Sequence, residues 1–184
     1  MVLVVTAPEE YKRQKGDILV FLAGGITGCE NWQQVVIKYL ISEEPKLMIS
    51  DRRLVLFNPR RENFPAHDKN AHAQQVAWER RYIDMSDIFS MYFCSGESDQ
   101  PVCMFELGRR LGYIECWCSA RDLPLYTEEL IITAEDGYKR RDEVLHQCGL
   151  SAGGESIVAT GDDANPISHA AHILEAYREQ CYFK

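Results

Sequence analysis

Short, nearly continuous apolar runs alternate along this chain with longer stretches whose apolar residues recur every three to four positions. Asp17–Ala23 (DILVFLA) is the clearest run and reads as a strand buried on both faces. It ends in Gly24-Gly25-Ile26-Thr27-Gly28, and Asn31 follows as a helix cap. Trp32, Val35, Val36, Tyr39 and Leu40 then fall at helical spacing through Trp32–Ser42. Leu54–Phe57 predicts a second strand, closed by Asn58-Pro59, and Asp87–Cys94 a third. Weaker strands are expected at Glu129–Thr133 and Ser156–Thr160, and helices at Ala71–Met85, Val102–Glu115, Tyr138–Cys148 and Ile167–Cys181. Between them, Arg60–Lys69 is polar, interrupted by proline and headed by two arginines, the character of a functional loop.

Strands that alternate with helices predict a mainly parallel sheet with helices on both faces, joined by right-handed crossovers. About five strands fit a flavodoxin-like or Rossmann-like α/β domain, with Met1–Ala7 available as an added edge strand. No linker, repeat or low-complexity segment divides the chain, so residues 1–184 are expected to form a single domain. In such sheets a ligand lies beyond the carboxyl ends of the strands, where strand order reverses. That directs attention to the loops Gly24–Asn31, Asn58–Lys69 and Ser95–Pro101.

Charge narrows the choice of ligand. With 20 Lys and Arg against 28 Asp and Glu, the net charge is −8, which argues against a surface for DNA or RNA. A small ligand in a locally basic pocket remains compatible with it. No apolar run reaches the roughly 18 residues of a membrane-spanning helix, and Met1–Ala7 is too short for the core of a signal peptide. The seven cysteines are odd in number and mostly inside apolar segments, so free thiols in a reducing, cytoplasmic setting are expected. Their spacing fits no zinc site; His169 and His172 share a helix face without further ligands.

Several residues carry candidate chemistry. The Gly24–Gly28 turn lets a backbone approach a ligand and opens onto a helix start, although it is neither a dinucleotide fingerprint nor a P-loop, and a purely structural turn reads equally well. Glu106 lies in the first turns of a helix entered from the loop after a buried strand, which places it near the ligand edge of the sheet. Its spacing from Arg109 and Arg110 also fits a surface ion pair. Glu79, Asp84 and Asp87 cluster around a helix end and a strand start, where turn and cap roles compete with catalysis.

Taken in order, Phe21-Leu22-Ala23-Gly24-Gly25-Ile26, Asn31-Trp32-Gln33, Asn58-Pro59-Arg60-Arg61, Gln75-Val76-Ala77-Trp78-Glu79, Ser86-Asp87-Ile88 and Phe105-Glu106-Leu107-Gly108 resemble the nucleoside 2-deoxyribosyltransferase-like family. The resemblance spans roughly Asp17 to Gly112. It implies attack by Glu106 on the anomeric carbon of a nucleoside or nucleotide, a glycosyl ester, and transfer of the sugar to another base or to water. Glu79 and Asp87 join Glu106 as the implied catalytic carboxylates, following the two-carboxylate logic of glycoside cleavage. Phe21, Gly24, Gly25, Thr27, Asn31, Trp32, Gln33, Asn58, Arg60, Arg61, Trp78, Asp84 and Asp99 are the expected substrate-binding residues. Among them, Trp32 or Trp78 is expected to stack on the base, and Thr27, Arg60 and Arg61 to serve any 5′-phosphate.

The chain departs from the family pattern in two places. Phe21 stands where the family has a tyrosine, and the aspartate shortly before the catalytic glutamate has only Asp99 or Gln100 nearby. Glu79 replaces an aspartate that contacts the base. The resemblance also implies a homo-oligomer acting on a small molecule, without metal or organic cofactor, nucleic-acid polymer or membrane. A catalytically silent nucleotide-binding module on the same fold is the alternative.

Overall fold

The computed structural model describes residues 1–44, 51–96, 98–122, 129–152 and 157–183. Strands β1 (Val2–Thr6), β2 (Asp17–Gly24), β3 (Arg53–Asn58), β4 (Ile88–Phe93), β5 (Leu130–Ala134) and β6 (Val158–Ala159) form one sheet in the order β1-β3-β2-β4-β5-β6. Every neighbouring pair is parallel. The architecture is the expected flavodoxin-like α/β layering, with six strands instead of about five because Val2–Thr6 pairs outside β3.

Side-chain alternation along the buried strands builds two cores. Leu19, Phe21 and Ala23 of β2 face one side, where they meet α2 (Lys69–Met85), α3 (Pro101–Ser119) and α4 (Arg141–Ser151) through residues such as Tyr82, Leu107 and Val144. Ile18, Val20 and Leu22 face the other side and pack on α1 (Trp32–Ser42) and α5 (Pro166–Phe183). The apolar stretch Ile18–Ala23 of β2 is what a two-sided core requires.

Most expected elements keep their place. The fourth helix starts at Arg141 instead of Tyr138, because residues 135–141 form turns (Tyr138 N–H to Glu135 O 2.9 Å, Arg141 N–H to Tyr138 O 3.2 Å). The Tyr138 ring is instead buried against Phe93, with centroids 5.0 Å apart. The last strand shrinks to Val158–Ala159, and Ser156 lies outside the described residues.

One expectation about cysteine is corrected. Cys29 and Cys94 form a disulfide, although 65 positions separate them in sequence. Parallel pairing of β2 with β4 brings the loop after one strand beside the end of the other. Cys103, Cys116, Cys118, Cys148 and Cys181 are free.

After β2 the chain crosses to β3 on one side, and then returns to β4 on the other. The loops leaving β2 and β4 lead to helices on opposite faces of the sheet, tied to each other by the Cys29–Cys94 disulfide, and a crevice opens beside them at the carboxyl edge. Among the described residues, no helix is long and apolar enough to cross a membrane.

Candidate active site

A cavity of about 390 Å³ opens in that crevice. Its floor is Phe21 and the Gly24–Thr27 turn. One wall is Pro59, Arg61 and Phe64, continuing into His72, Gln75 and Glu79 along one face of α2. The opposite wall is Ser98, Gln100, Cys103 and Glu106 at the start of α3. Residues 72, 75 and 79 share a face because they are three and four apart on a helix, as are Cys103 and Glu106.

The glycines of the turn are required by close approach. A Cβ on Gly24 would clash with Tyr92 O and come within 2.6 Å of the Trp32 ring, and its φ of +151° lies outside the range favoured by other residues. A Cβ on Gly25 would meet Cys94 Sγ and Gln100 Oε1, each at 2.6 Å.

Two carboxylates face the cavity from opposite helices. Burial first, then the charge of Glu79, pushes the Glu106 carboxyl up to about 8, against a smaller pull down from Arg109. Burial likewise raises Glu79, opposed by a hydrogen bond from Gln75 Nε2 to Glu79 Oε1 at 2.9 Å. Each is half-buried, and the charge of Glu79 reaches Glu106 across the cavity. The surface ion pair that spacing offered for Glu106 is not formed. Arg109 pairs with Asp84, and Arg110 with Glu129 at 3.7 Å. Cys103, buried beside both glutamates, has its thiol pushed up to about 12, by burial first and then by their charges, so it is no nucleophile at neutral pH.

Of the residues singled out from the sequence, Glu106, Glu79, Phe21, Gly24, Gly25, Thr27 and Arg61 line the cavity. The others do not, and each has another task. Asp87 sits at the amino end of β4, a full strand from the cavity; its carboxylate takes Arg13 at 2.9 Å and the Leu19 N–H at 2.9 Å. Asn31 caps α1 by accepting from Gln34 N–H at 3.1 Å. Asn58 accepts the Arg60 N–H at 3.1 Å. Asp84 is exposed and pairs with Arg80 and Arg109. Asp99 is exposed and pairs with Lys139 at 3.7 Å.

The stacking role expected of tryptophan is also corrected. Trp32 is 2% exposed, stacks on Tyr92 with centroids 4.8 Å apart, and donates its Nε1–H to Gly25 O at 3.0 Å. Trp78 is buried among Phe21, Phe57 and Tyr82 and donates to Glu9 O at 2.7 Å. Both support the site from behind. Arg60 is likewise absorbed into structure. Its guanidinium donates to the carbonyls of Gly25, Ile26 and Glu30 at 3.2, 3.3 and 2.9 Å, and to Gln33 Oε1 at 2.9 Å. It clamps the glycine turn and the start of α1, which removes both Arg60 and the buried Gln33 from the roster of ligand contacts. Burial lowers the Arg60 pKa.

Several cavity residues escaped the sequence reading. Phe64 presents its ring to the cavity, with Arg61 over it at 5.4 Å and His72 edge-on at 4.8 Å. Gln75 was legible only as part of a motif, and Gln100 as one of two candidates, with Asp99, for the family's aspartate before the glutamate; of the two, Gln100 lines the cavity. The signal for Gln75 is its helical spacing from Glu79.

A parallel α/β sheet with a crevice at its topological switch point, lined by two carboxylates, has the form of a small-molecule site. The chain belongs to the nucleoside 2-deoxyribosyltransferase-like family, whose model matches residues 17–114, from the first residue of β2 into α3. That stretch carries both glutamates, the glycine turn and Arg61. Family membership points to a related glycosyl-transfer function on a nucleoside. No curated protein matches the chain significantly.

Proposed function

We propose that the protein cleaves the N-glycosidic bond of a (deoxy)nucleoside or nucleotide through Glu106, passing the sugar to a second base or to water. The observation that carries this reading is the pair Glu79–Glu106, two half-buried carboxyls on opposite walls of one crevice, both raised by burial and Glu106 further raised by the charge of Glu79. Burial disfavours charge on both, and a charged Glu79 disfavours it further on Glu106, so the two carboxyls resist ionising together. In the free site the proton favours Glu106, so the mechanism requires a bound nucleoside to shift it, leaving the charge on Glu106 beneath C1′ and the proton on Glu79 toward the base.

As the C1′–N bond lengthens, its electron pair moves to the base and positive charge grows on the sugar. The Glu106 carboxylate stabilises that charge and closes onto C1′ as an ester, while Glu79 gives its proton to the leaving base. In the second half, a base or water attacks C1′, the ester bond breaks back to the Glu106 carboxylate, and Glu79 takes the incoming proton. Phe64 offers the base an aromatic face in place of the buried tryptophans, and Arg61 and Thr27 offer donors to substrate oxygens. Assembly of a homo-oligomer belongs to the same proposal.

Incubating the protein with the four common 2′-deoxynucleosides and their 5′-monophosphates, with and without a second base, tests this. Release of free base denotes the hydrolase, and base exchange the transferase. Glu106→Gln should lower turnover by orders of magnitude with little change in ligand affinity, because the lost contact belongs to the transition state. A Glu106→Gln variant as active as the wild type, or binding without turnover in the wild type, would refute the mechanism.

A further inference from the structure

The only disulfide among the seven cysteines joins the floor of the cavity to one of its walls. Cys29 belongs to the turn after β2, whose residues Gly24–Thr27 form the floor. Cys94 follows β4 directly and leads into the wall of Ser98, Gln100 and the start of α3. Both sulfurs pack against Gly25: a Cβ there would lie 2.5 Å from Cys29 Sγ and 2.6 Å from Cys94 Sγ. The bond therefore backs directly onto a floor residue.

Its two ends are held unequally. Cys94 is buried, follows a strand paired on both sides with β2 and β5, and accepts from Gln100 Nε2 at 2.7 Å through its carbonyl. Cys29 is half-buried, and Thr27 and Gly28 before it are exposed. Arg60 holds this turn from the loop after β3, reaching Cys29 O at 3.4 Å. Toward β4 the turn is held by Gly25 N–H to Tyr92 O at 3.3 Å and by the disulfide. Sulfurs that are no longer bonded must move apart, and the turn is the side free to move. The other five cysteines are free, with Cys116 exposed, so this fold is not stapled throughout as disulfide-dependent domains are. Its one bond lies at the cavity, with Cys29 Sγ as the end a thiolate can reach.

We infer that the Cys29–Cys94 pair is a thiol–disulfide switch for the cavity: oxidised, it holds floor against wall in the form that binds ligand, and reduced, it releases the floor. In the forward step a thiolate of a dithiol reductant attacks Cys29 Sγ. The S–S electron pair leaves on Cys94 Sγ, which takes a proton. The second thiol of the reductant then displaces Cys29 Sγ, which takes the other proton. The net change is two protein thiols and one oxidised dithiol, and a disulfide oxidant runs the same exchange backwards. The switch acts on the shape of the cavity; only the turnover arm of its test rests on the glycosidic reading above.

The test compares the full chain as oxidised, as reduced with dithiothreitol, and as reoxidised with oxidised glutathione. Thiol titration of the denatured protein should count five thiols, then seven, then five. On reduction, amide hydrogen exchange over residues 24–29 should speed up about tenfold or more, while residues 88–93 stay protected. The kcat/KM for the best substrate among the 2′-deoxynucleosides and their monophosphates should fall about tenfold or more, because a displaced floor misplaces the substrate. Both changes should reverse on reoxidation. Cys29→Ser and Cys94→Ser should behave as the reduced protein in either buffer, and Cys116→Ser should switch like the wild type. A bond that merely staples the fold would lower Tm on reduction and leave both exchange at the turn and kcat/KM at their oxidised values. That result, an unchanged kcat/KM alone, or seven thiols in the oxidised preparation would overturn the switch and leave the glycosidic reading intact. If no nucleoside is cleaved or bound, the glycosidic reading fails, and exchange over residues 24–29 decides the switch by itself.

Discussion

Replacing Glu79 with glutamine separates the two jobs assigned to the carboxylate pair. Glutamine keeps the size and the contact with Gln75 but can neither be charged nor give a proton. The distance from the ordinary value of 4.5 to about 8 at Glu106 is worth about 5 kcal/mol of disfavoured charge, at ~1.4 kcal/mol per pH unit. Burial is the larger cause and stays in the variant; the repulsion from Glu79 goes. The Glu106 pKa should fall, and more of it should be ionised at pH 7. The nucleophile thus gains while the leaving group loses its acid. For a natural base, loss of a positioned general acid should lower kcat/KM about 10²–10⁴-fold. For a nucleoside whose leaving group needs no protonation, such as one bearing a nitro-activated heterocycle, the loss should stay under about tenfold.

The pH profile gives the sign. Attack needs Glu106 ionised and leaving-group protonation needs Glu79 neutral, so wild-type activity should rise as pH approaches about 8, where Glu106 loses its proton, and decline again as Glu79 ionises. Glu79→Gln should abolish this alkaline limb. Initial rates from pH 5 to 10 with both substrates are the assay. An equal loss for natural and activated leaving groups, or an alkaline limb that persists unchanged in the variant, would refute the division of labour between Glu79 and Glu106.

Two further outcomes concern the scaffold. Trp78→Phe should cost about 1–3 kcal/mol in denaturant unfolding, through the lost bond to Glu9 O and a partial cavity, while nucleoside affinity by titration moves less than about threefold; a much larger affinity loss would return Trp78 to the binding surface. His169 is fully buried between Ser90 Oγ at 2.8 Å and Thr133 Oγ1 at 2.7 Å, and burial, chiefly, pushes it down to about 3. Its folded-state pKa is below the unfolded one, so the unfolded chain binds the extra proton; stability should drop as pH falls from about 6.5 toward 3. Urea midpoints measured at steps from pH 7 to 4, in wild type and His169→Gln, check this, and equal acid slopes in the two proteins would contradict it.

The local order of elements was legible in the sequence because it depends on short-range patterning. The nearly continuous apolar run of Asp17–Ala23 reads as a strand covered on both sides, and the helical spacing from Trp32 to Ser42 matches α1 end to end. Glu106, Glu79 and the glycine turn were legible as parts of a family pattern. What folding alone decided is which polar residues meet. Asp87 and Glu106 looked alike as carboxylates near element ends, but one lies at the amino edge of the parallel sheet and the other at the carboxyl edge, where the cavity opens. Arg60 and Arg61 are adjacent and chemically identical. One turns back to hold carbonyls from residues 25–30, and the other turns to the cavity, because side chains of consecutive residues point in different directions. The tryptophans looked like base platforms, and the energetics of burying their large faces drew them into the core. Gln100 and the Cys29–Cys94 pair depend on β2 lying beside β4, a contact between segments about 65 to 75 residues apart. No periodicity encodes such a contact; it exists only once the strands have paired, with β2 and β4 side by side and their loops brought together at the edge of the crevice.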